Sequence, residues 1–570
     1  MSIIGLKKAN CKNCYKCVKV CPVKSIRVEQ EQAKIIDDFC ILCGRCLSEC
    51  PQNAKTVSSD LEKVKEWVTT NQPVVMSIAP SYIGSFDLKS PLGIVSAVKK
   101  LGFTGVSETA EGAAYVTNQY HELMQSGTMK NIITTCCPSI NLFIEYYYPS
   151  IISYMAPVVS PMIAHARLLK DRLPKDTKVV FCGPCISKKD EATDMRHSTE
   201  VDAVLTFDDL DMWLKEENIL VSDCDPEPFF NADSEILRMY PVTDGILTSI
   251  ASKGDTNHYR LMSVDGTEEC KALFEAIQCG EIDHCLIELN ACKGGCIGGP
   301  ARVKDGVSRF QSRLSVEEYA NKKSPSYPGT DQEVSLSKKF FDRSSKEPIP
   351  DEETIRSILS KIGKDSEEQE LNCGACGYSS CREKAIAVYQ NRAELTMCIP
   401  YMKERAESLS NYVLSETPNI TIIVDSDMKI LEFNTAAENC FQISRREALE
   451  SFLYELIDIS DFQFVFDEKQ SITDKKVHYK EYNITTLQSI IYIEHQNVAM
   501  GIFKDITDEE KELEKQYALR VETMEMAQKV IDKQMVAAQQ IASLLGETTA
   551  ETKVTLTKLK NMIVFDGDEL

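Results

Sequence analysis

The sequence predicts a multidomain chain of mixed α/β and α+β class, and three observations carry that reading. Its 570 residues exceed what a single core usually organises. From about residue 70 to 313, short apolar runs alternate with helical patterns, as in α/β folds. The 23 cysteines fall mostly in tight C-x-x-C arrays at separate places along the chain.

The formal charge of −22 argues against nucleic acid or an anionic membrane surface as partner, since both repel an acidic protein. No run of 18 apolar residues occurs, so no membrane span is expected. Met1 to Lys8 is too short and too mixed for the apolar region of a signal peptide, and a cytoplasmic protein is the expectation. In a reducing cytosol C-x-x-C arrays hold metal rather than disulfides. With only 7 histidines, thiolate-bound iron is the expected theme.

Cys11, Cys14, Cys17 and Cys21-Pro22 form C-x2-C-x2-C-x3-C-P, and Cys40, Cys43, Cys46 and Cys50-Pro51 repeat it. Three thiolates at this spacing wrap one cubane and the fourth reaches its neighbour. Cys11, Cys14, Cys17 and Cys50 are therefore expected on one 4Fe–4S cluster, and Cys21, Cys40, Cys43 and Cys46 on the other. Zinc is the alternative, but zinc ribbons use isolated C-x-x-C pairs. Residues 1–58 resemble a bacterial two-cluster ferredoxin, whose role is electron relay.

In the α/β stretch, Val74–Ile78, Ile132–Thr134, Val179–Phe181 and Cys285–Ile287 read as strands. Each runs into a loop rich in Ala, Pro, Gly or Cys, and in open α/β sheets sites gather at carboxyl ends of strands. The loops carry Ala79-Pro80-Ser81, Thr135-Cys136-Cys137-Pro138, Pro184-Cys185-Ile186-Ser187-Lys188-Lys189-Asp190-Glu191, and Glu288-Leu289-Asn290-Ala291-Cys292-Lys293-Gly294-Gly295-Cys296. A cysteine after a strand is commonly a small buried hydrophobe. Four such loops in order, with a Lys three residues after one Cys and Gly-Gly between two others, are hard to read as packing alone.

These residues resemble the signature motifs of FeFe hydrogenases, a likeness covering residues 1 to about 310. It implies a two-lobed α/β domain over 70–313, holding a 4Fe–4S cube joined through one cysteine to a diiron unit that bears CO, cyanide and an azadithiolate. Cys137, Cys185, Cys292 and Cys296 would hold the cube, with Cys296 as the bridge. Lys188 suits one cyanide, and donors around Ala79, Pro80, Ser81 and Pro184 suit the other. Cys136 resembles the family's proton-carrying thiol, a group that titrates near ~8.5 when unperturbed; an inert core cysteine is the plain alternative. Lys188 and Glu191 complete the expected catalytic set. Gly294, Gly295, Gly298 and Gly299 allow close backbone approach to a cluster.

Departures from the family pattern are equally specific. Gly183 and Asn290 stand where it usually carries Met, Ile140 where it carries Trp, and the third motif runs on as a shortened Gly298-Gly299-Pro300. Its outward proton path uses two Glu and a Ser, for which this chain has Tyr120, Leu123 and Ala156. Glu111 and Glu122 are candidate substitutes, although acids on a helix ordinarily face water.

Residues 314–350 are polar, with Pro325, Pro328, Pro348 and Pro350 nearby, and read as a linker. Cys373, Cys376, Cys381 and Cys398, within 351–405, resemble a small 4Fe–4S domain; four cysteines in two groups also suit zinc. Residues 410–508 look like a PAS domain, opening with Ile420–Asp425 and Ile430–Asn434 and closing at Asp505-Ile506-Thr507. His478 and His495 are read as surface or core residues, so no haem is expected. Within 509–563, Tyr517, Val521, Met524, Ile531, Met535, Ala538, Ala542 and Leu545 form a heptad seam broken only by Gln528. It suggests a paired helix and a homodimer, the alternative being one amphipathic helix packed on the PAS domain. Cys182, Cys224, Cys270, Cys279, Cys285 and Cys440 are read as packing residues.

The expected function is reversible H2 oxidation and proton reduction, with a ferredoxin-like electron carrier and maturation proteins for the diiron unit as partners. The rival is an H2 or redox sensor signalling through the C-terminal cluster and PAS module to a partner in trans. A relative that has lost the diiron unit is a third reading, against which Lys188, Glu191 and Cys136 speak.

Overall fold

The computed structural model describes residues 2–30, 32–197, 199–230, 235–303, 307–320, 332–344, 348–545 and 554. They form two compact units, Met1–Met402 and Lys403–Leu570.

The first unit opens with the cysteine repeats, each leading into a short helix, Lys16–Val20 and Arg45–Ser48. Strand Ile4–Leu6 pairs antiparallel with Lys55–Val57, and Ile26–Glu29 with Gln32–Ile35. The central domain follows as β1 (Val74–Ile78), β2 (Gly105–Glu108), α1 (Ala110–Ser126), β3 (Ile132–Ile133), α2 (Pro138–Tyr147), α3 (Pro161–Arg172), β4 (Lys178–Gly183), α4 (Ser187–Thr193), β5 (Ala203–Thr206), α5 (Gly245–Ala251), β6 (Arg260–Asp265) and β7 (Cys285–Asn290). β2-β1-β4-β5 make one parallel sheet, and β6-β7-β3 a second. β1, β2, β5 and β7 are buried along their whole length. Parallel strands covered on both faces favour unbroken apolar runs, which is why β1 and β7 were legible, whereas β2, with Ser107 and Glu108 in it, and the four-residue β5 were not. α1 and α3 cross where Gly112 leaves room: a Cβ there would lie 2.3 Å from Pro161 O and 2.7 Å from His165 Cβ.

Two parts of the presumed linker 314–350 are structured. Helix Arg309–Tyr319 runs through the expected domain end at 313 and buries Val316 against Val242 and Ile297. Residues 332–344 lie along the central domain: Val159 N donates to Leu336 O (2.9 Å), Lys338 N to Pro157 O (3.0 Å) and Arg343 N to Glu145 O (3.0 Å). Backbone pairing of this kind is blind to side-chain polarity, so composition concealed it. Pro325 and Pro328 lie outside the described residues.

The small cysteine domain contains helices Glu352–Ser360 and Cys381–Tyr389. It packs on the N-terminal block, with Tyr378 in a shared apolar cluster and the Arg392 guanidinium 3.9 Å over the Phe39 ring.

The second unit is built on an antiparallel sheet of β8 (Ile420–Asp425), β9 (Ile430–Phe433), β10 (Ile472–Tyr479), β11 (Ile484–Ile493) and β12 (Val498–Asp505), in the order β9-β8-β12-β11-β10. Ile422, Phe433, Leu453, Phe462 and Phe503 fill its core. The His478 and His495 rings lie at the surface. α6 (Thr507–Leu545) continues for 39 residues. Along it Val521, Met524, Ile531, Met535 and Ala538 are partly covered, whereas Tyr517 is 72% exposed. The seam's end, from the Ala542 and Leu545 side chains onward, lies outside the described residues. Among the described residues no helix is long and apolar enough to cross a membrane. Cys182, Cys224, Cys270 and Cys285 are buried and Cys440 partly so, but Cys279 is exposed because it caps the surface end of helix Thr267–Gln278.

Gly377 tests the docking of the small domain. Its φ of +92° and the 2.8 Å from its notional Cβ to Val18 Cγ1 leave no room for a side chain. Gly377→Ala is expected to cost about 1–3 kcal/mol and to speed limited proteolysis between residues 345 and 372. Unchanged cleavage would show that the contact does not hold the domain.

Candidate metal centre and its cavity

Four loops leave the carboxyl ends of β1, β3, β4 and β7 and meet. After β1, Ala79 N donates to Cys182 O at 2.9 Å, pinning the Pro80–Gly84 turn to β4. After β3, Cys137 is the N-cap of α2, with Pro138 in the first helical position where no N–H is needed. After β4, Pro184 and Cys185 lead into α4. After β7, Gly294 and Gly295 take φ of +85° and +83°. A Cβ on Gly295 would lie 2.5 Å from Pro241 O, and one on Gly299 2.5 Å from Pro184 O, so the last loop folds directly onto its neighbours.

The loops enclose a cavity of about 90 Å³. Ala79, Pro80, Ser81, Cys136, Cys137, Pro184, Cys185, Lys188 and Cys296 all line it; Cys292 and Glu191 are not among the lining residues. Burial pushes up the thiols of Cys137, Cys292 and Cys296, and after burial the strongest influence on each is the Cys185 thiol. Cys137 acts further on Cys292 and Cys296, so the four sulfurs belong to one group. Among the described residues no three His, Cys, Asp or Glu side chains converge tightly enough to share a single ion. Thiols coupled at longer range suit a polynuclear cluster, whose soft iron ions must displace their protons.

The Ser81 hydroxyl is buried and has no hydrogen-bond partner. An unsatisfied hydroxyl on a cavity wall is costly unless something in the cavity accepts from it. Lys188 supplies a cation on another wall, its Nζ 3.2 Å from Cys136 O. The donor set (four thiols, one ammonium, one orphaned hydroxyl) fits a thiolate-held iron–sulfur group carrying anionic acceptors.

Lys188 is 11% exposed and pairs with Glu191 Oε2 at 2.6 Å. Burial opposes its charge, but the Glu191 carboxylate outweighs burial and raises its pKa. Burial would likewise raise Glu191, yet Lys188 and Lys338 hold it down at about 2. Ser160 Oγ donates to the same carboxylate at 2.9 Å, and Lys338 Nζ lies 3.2 Å from its other oxygen. Lys338 belongs to the segment read as linker and was missed; a lysine there reads as solvated.

Cys136 is pushed up to about 12 by burial, with the Tyr120 hydrogen bond and Lys188 pulling the other way. That is well above the ordinary thiol value, and it holds the proton more firmly. The Tyr120 hydroxyl lies 3.3 Å from Cys136 Sγ and accepts from Thr135 N at 2.9 Å. Of the two candidate acids, Glu122 faces water and accepts from Gln119, whereas Glu111 is 3% exposed. At Gly183 a Cβ would lie 2.9 Å from the Phe181 ring, which itself lines the cavity and fills that space. Asn290 donates to Glu288 Oε1 at 2.9 Å. Glu288 is fully buried and pushed up to about 7 by burial, against bonds from Leu247 N and Ile246 N. An acid inside an otherwise apolar strand was the signal available for it.

The other cysteines group in the same way. After burial, Cys21 acts most on Cys46 and Cys43, with Cys40 also contributing to both. Cys17 feels Cys11 and Cys14, and Cys50 Sγ accepts from Ala54 N at 3.4 Å. Cys376 feels Cys398 and Cys373, while the buried Lys384 is lowered by burial against the opposing pull of Cys398, Cys376 and Cys381. Cys43 also reaches Cys292, and Gly44 sits against Pro300, so the N-terminal block abuts the last loop of the central site.

Glu191 gives a measurable pH dependence. Its folded pKa of about 2 lies below its ordinary value of 4.5, so its contribution is complete above that value and is lost as pH falls toward 2. Glu191→Gln is expected to lose about 3–5 kcal/mol at neutral pH, because it strands two buried ammonium groups. The difference from the unsubstituted chain should shrink as pH falls through that window. Denaturant unfolding followed on Trp67 and Trp213 checks both; an equal loss at all pH values would refute the ionised pairing.

Three families match parts of the chain. Residues 72–300 match the iron only hydrogenase large subunit, C-terminal domain; residues 3–51 a 4Fe-4S dicluster domain; and residues 369–400 a putative Fe-S cluster. An NADP-reducing hydrogenase subunit of Solidesulfovibrio fructosivorans is 24% identical over 333 residues, 47% of this chain and 56% of that protein. The chain thus spans little more than half of that relative's length. A cytosolic Fe-S cluster assembly factor of Xenopus tropicalis is 22% identical over 379 residues, 53% of this chain and 79% of that protein. A solved FeFe hydrogenase variant from Chlamydomonas reinhardtii aligns over 50% of this chain and all of its own, at 17% identity and a TM-score of 0.41. Iron–sulfur families are thus matched at both flanks, and the iron only hydrogenase domain is matched across the loops that form the cavity, so residues 72–300 are FeFe hydrogenase-like.

Proposed function

We propose that this chain interconverts H2 with protons and electrons, relaying the electrons through 4Fe–4S clusters to a ferredoxin-like carrier. The observation that carries this reading is the convergence of four post-strand loops on one cavity lined by Cys136, Lys188 and the unpartnered Ser81 hydroxyl, backed by four coupled thiols. When bound, a diiron unit would supply the chemistry by which H2 is split or formed. Cys137, Cys185, Cys292 and Cys296 would hold the adjoining cube, with Cys296 on the side of the cavity. Lys188 would neutralise the unit's anionic ligands, and Ser81 would orient them by donating a hydrogen bond. Cys136 keeps a proton at Sγ beside them, held there by burial. Such a unit implies maturation proteins to install it.

The N-terminal cysteines support electron relay. The set of Cys21, Cys40, Cys43 and Cys46 faces the central loops through Cys43 and Cys292, and Lys24 feels both Cys21 and Cys376. The small domain would therefore exchange electrons with the same set.

A second reading, an H2 or redox sensor, is favoured by the second unit. Turnover needs neither its five-stranded sheet, read as a PAS domain, nor α6. Apolar side chains stand exposed along α6, among them Met526, Val530 and Ile541. In this reading α6 pairs with its copy in a homodimer, and a partner in trans receives the signal.

Infrared spectroscopy of anaerobically matured protein separates the readings. CO and cyanide bands are expected, and Cys136→Ala should keep them while losing about 10²–10⁴-fold in H2 turnover. A chain without bands would abandon hydrogen chemistry in favour of a role like that of the assembly-factor relative. Deletion of residues 410–570 is expected to leave turnover intact if the chain is simply an enzyme. Slow turnover together with H2-dependent dimerisation would decide for the sensor.

A further inference from the structure

Beyond Cys136, the route by which protons would travel in the family pattern is interrupted. Tyr120 meets the thiol, but Leu123 and Ala156 hold the next positions and neither carries an exchangeable side-chain proton. Another polar file leaves the same cavity. Thr109 lines it, and the Thr109 hydroxyl lies 2.8 Å from Ser77 Oγ. Ser77 Oγ lies 2.8 Å from His165 Nδ1. His165 Nε2 lies 2.9 Å from Ser107 Oγ and 3.5 Å from Glu111 Oε2. Glu111 Oε1 accepts from Arg172 at 2.6 Å, and Arg172, 33% exposed, meets solvent.

We propose that protons enter and leave this site along Thr109, Ser77, His165 and Glu111, emerging beside Arg172. The proposal rests on the hydrogenase reading of the cavity. It deepens that reading by assigning four residues to proton positioning.

The chemistry of each member suits the task. Hydroxyls donate and accept at one oxygen, so Thr109 and Ser77 pass a proton by exchanging an O–H bond for a hydrogen bond. Imidazole accepts at one nitrogen and releases from the other. In one outward transfer Thr109 gives its proton to Ser77 as it takes one from the cavity, and Ser77 gives its own to His165 Nδ1. His165 Nε2 releases its proton to Glu111 Oε2. One proton moves outward and no electron is exchanged. Rotation of the hydroxyls and reorientation of the imidazole ring, which carries its N–H back to the Glu111 side, reset the file with no net change in protons.

Burial sets these residues apart from an ordinary surface network. Ser77 is 1%, Thr109 5%, His165 0% and Glu111 3% exposed. Glu111 Oε2 is buried without a hydrogen bond of its own, so it stands as an open acceptor facing the ring. Burial would raise the Glu111 pKa, but His165 and Arg172 lower it and keep the carboxylate ionised.

The test uses the matured full-length chain carrying His165→Gln, Glu111→Gln or Thr109→Val. Glutamine at 165 can still hold both serines but cannot relay a proton, which guards against simple misfolding. His165→Ala is added for rescue by imidazole. The CO and cyanide bands should be unchanged in every variant. H2 oxidation and evolution should fall by about 10²-fold, the low end for a positioned proton-transfer group, with a larger solvent isotope effect. Imidazole should restore His165→Ala. Independently of rate, a difference infrared spectrum between reduced and oxidised samples should carry a shift of a buried carboxylate band that Glu111→Gln removes. Normal turnover of His165→Gln with intact bands would overturn the route and leave the hydrogenase reading standing. Absence of the bands from the unsubstituted chain would overturn both.

Discussion

Glu191 places a full negative charge almost out of contact with water, and it is tolerated there because Lys188, Lys338 and Ser160 close around it at 2.6, 3.2 and 2.9 Å. Desolvating a carboxylate costs several kcal/mol even after relaxation. Each cation at such distances returns on the order of 4 kcal/mol at an effective dielectric near 20. Both ammonium groups are desolvated as well, so the three charges are tolerated only together, and removing any one strands the others. The geometric consequence matters more than the energy. The same carboxylate fixes the Lys188 head against the cavity, anchors the start of α3 through Ser160, and ties down residues 332–344 through Lys338. The cavity wall and the segment behind it are therefore one electrostatic object.

Much of the scaffold was legible because burial on both faces imposes a continuous apolar run. β1, β4 and β7 announce themselves in this way, and the residues after them are too reactive in type to be mere turns. β3 is only two residues long and was legible mainly through the Thr-Cys-Cys-Pro that follows it. The parts that escaped reading depend on partners distant in sequence. Lys338 meets Glu191 across 147 residues, and nothing local distinguishes it from a solvated lysine. His165 sits in an unremarkable helical pattern until Ser77 and Ser107 from two adjacent strands close on its ring. Glu288 was visible as an acid in an apolar strand, but its role as acceptor for the start of α5 requires the fold.

The departures from the family pattern also acquire physical content. Gly183 is not an empty space, because the Phe181 ring stands where a side chain on residue 183 would go. Asn290 brings an amide to the cavity and is held by Glu288 behind it. A methionine pair would present polarizable sulfur at these two places; here one wall is aromatic and the other a hydrogen-bonding amide. Local polarity and hydrogen bonding tune a cluster's potential, so these exchanges bear on redox poise rather than on whether the thiols converge.

On the proposed reading, the two lobes divide the traffic that hydrogen chemistry requires. The three-stranded sheet shares an apolar cluster with the N-terminal cysteine block, Ile133, Phe143 and Ile287 packing with Val18, Ile26 and Ile41, and Cys292 on its last loop lies within reach of Cys43. The four-stranded sheet carries Ser77 and Ser107, beneath which His165 and Glu111 lead the other way. Electron transfer tolerates a dry, apolar path, whereas a proton needs an unbroken succession of exchangeable groups. On that reading the first would lie in one lobe and the second in the other. Cys136, on the loop after β3 with its carbonyl 3.2 Å from Lys188 Nζ on the helix after β4, shares the cavity with Thr109, where the proposed proton file begins.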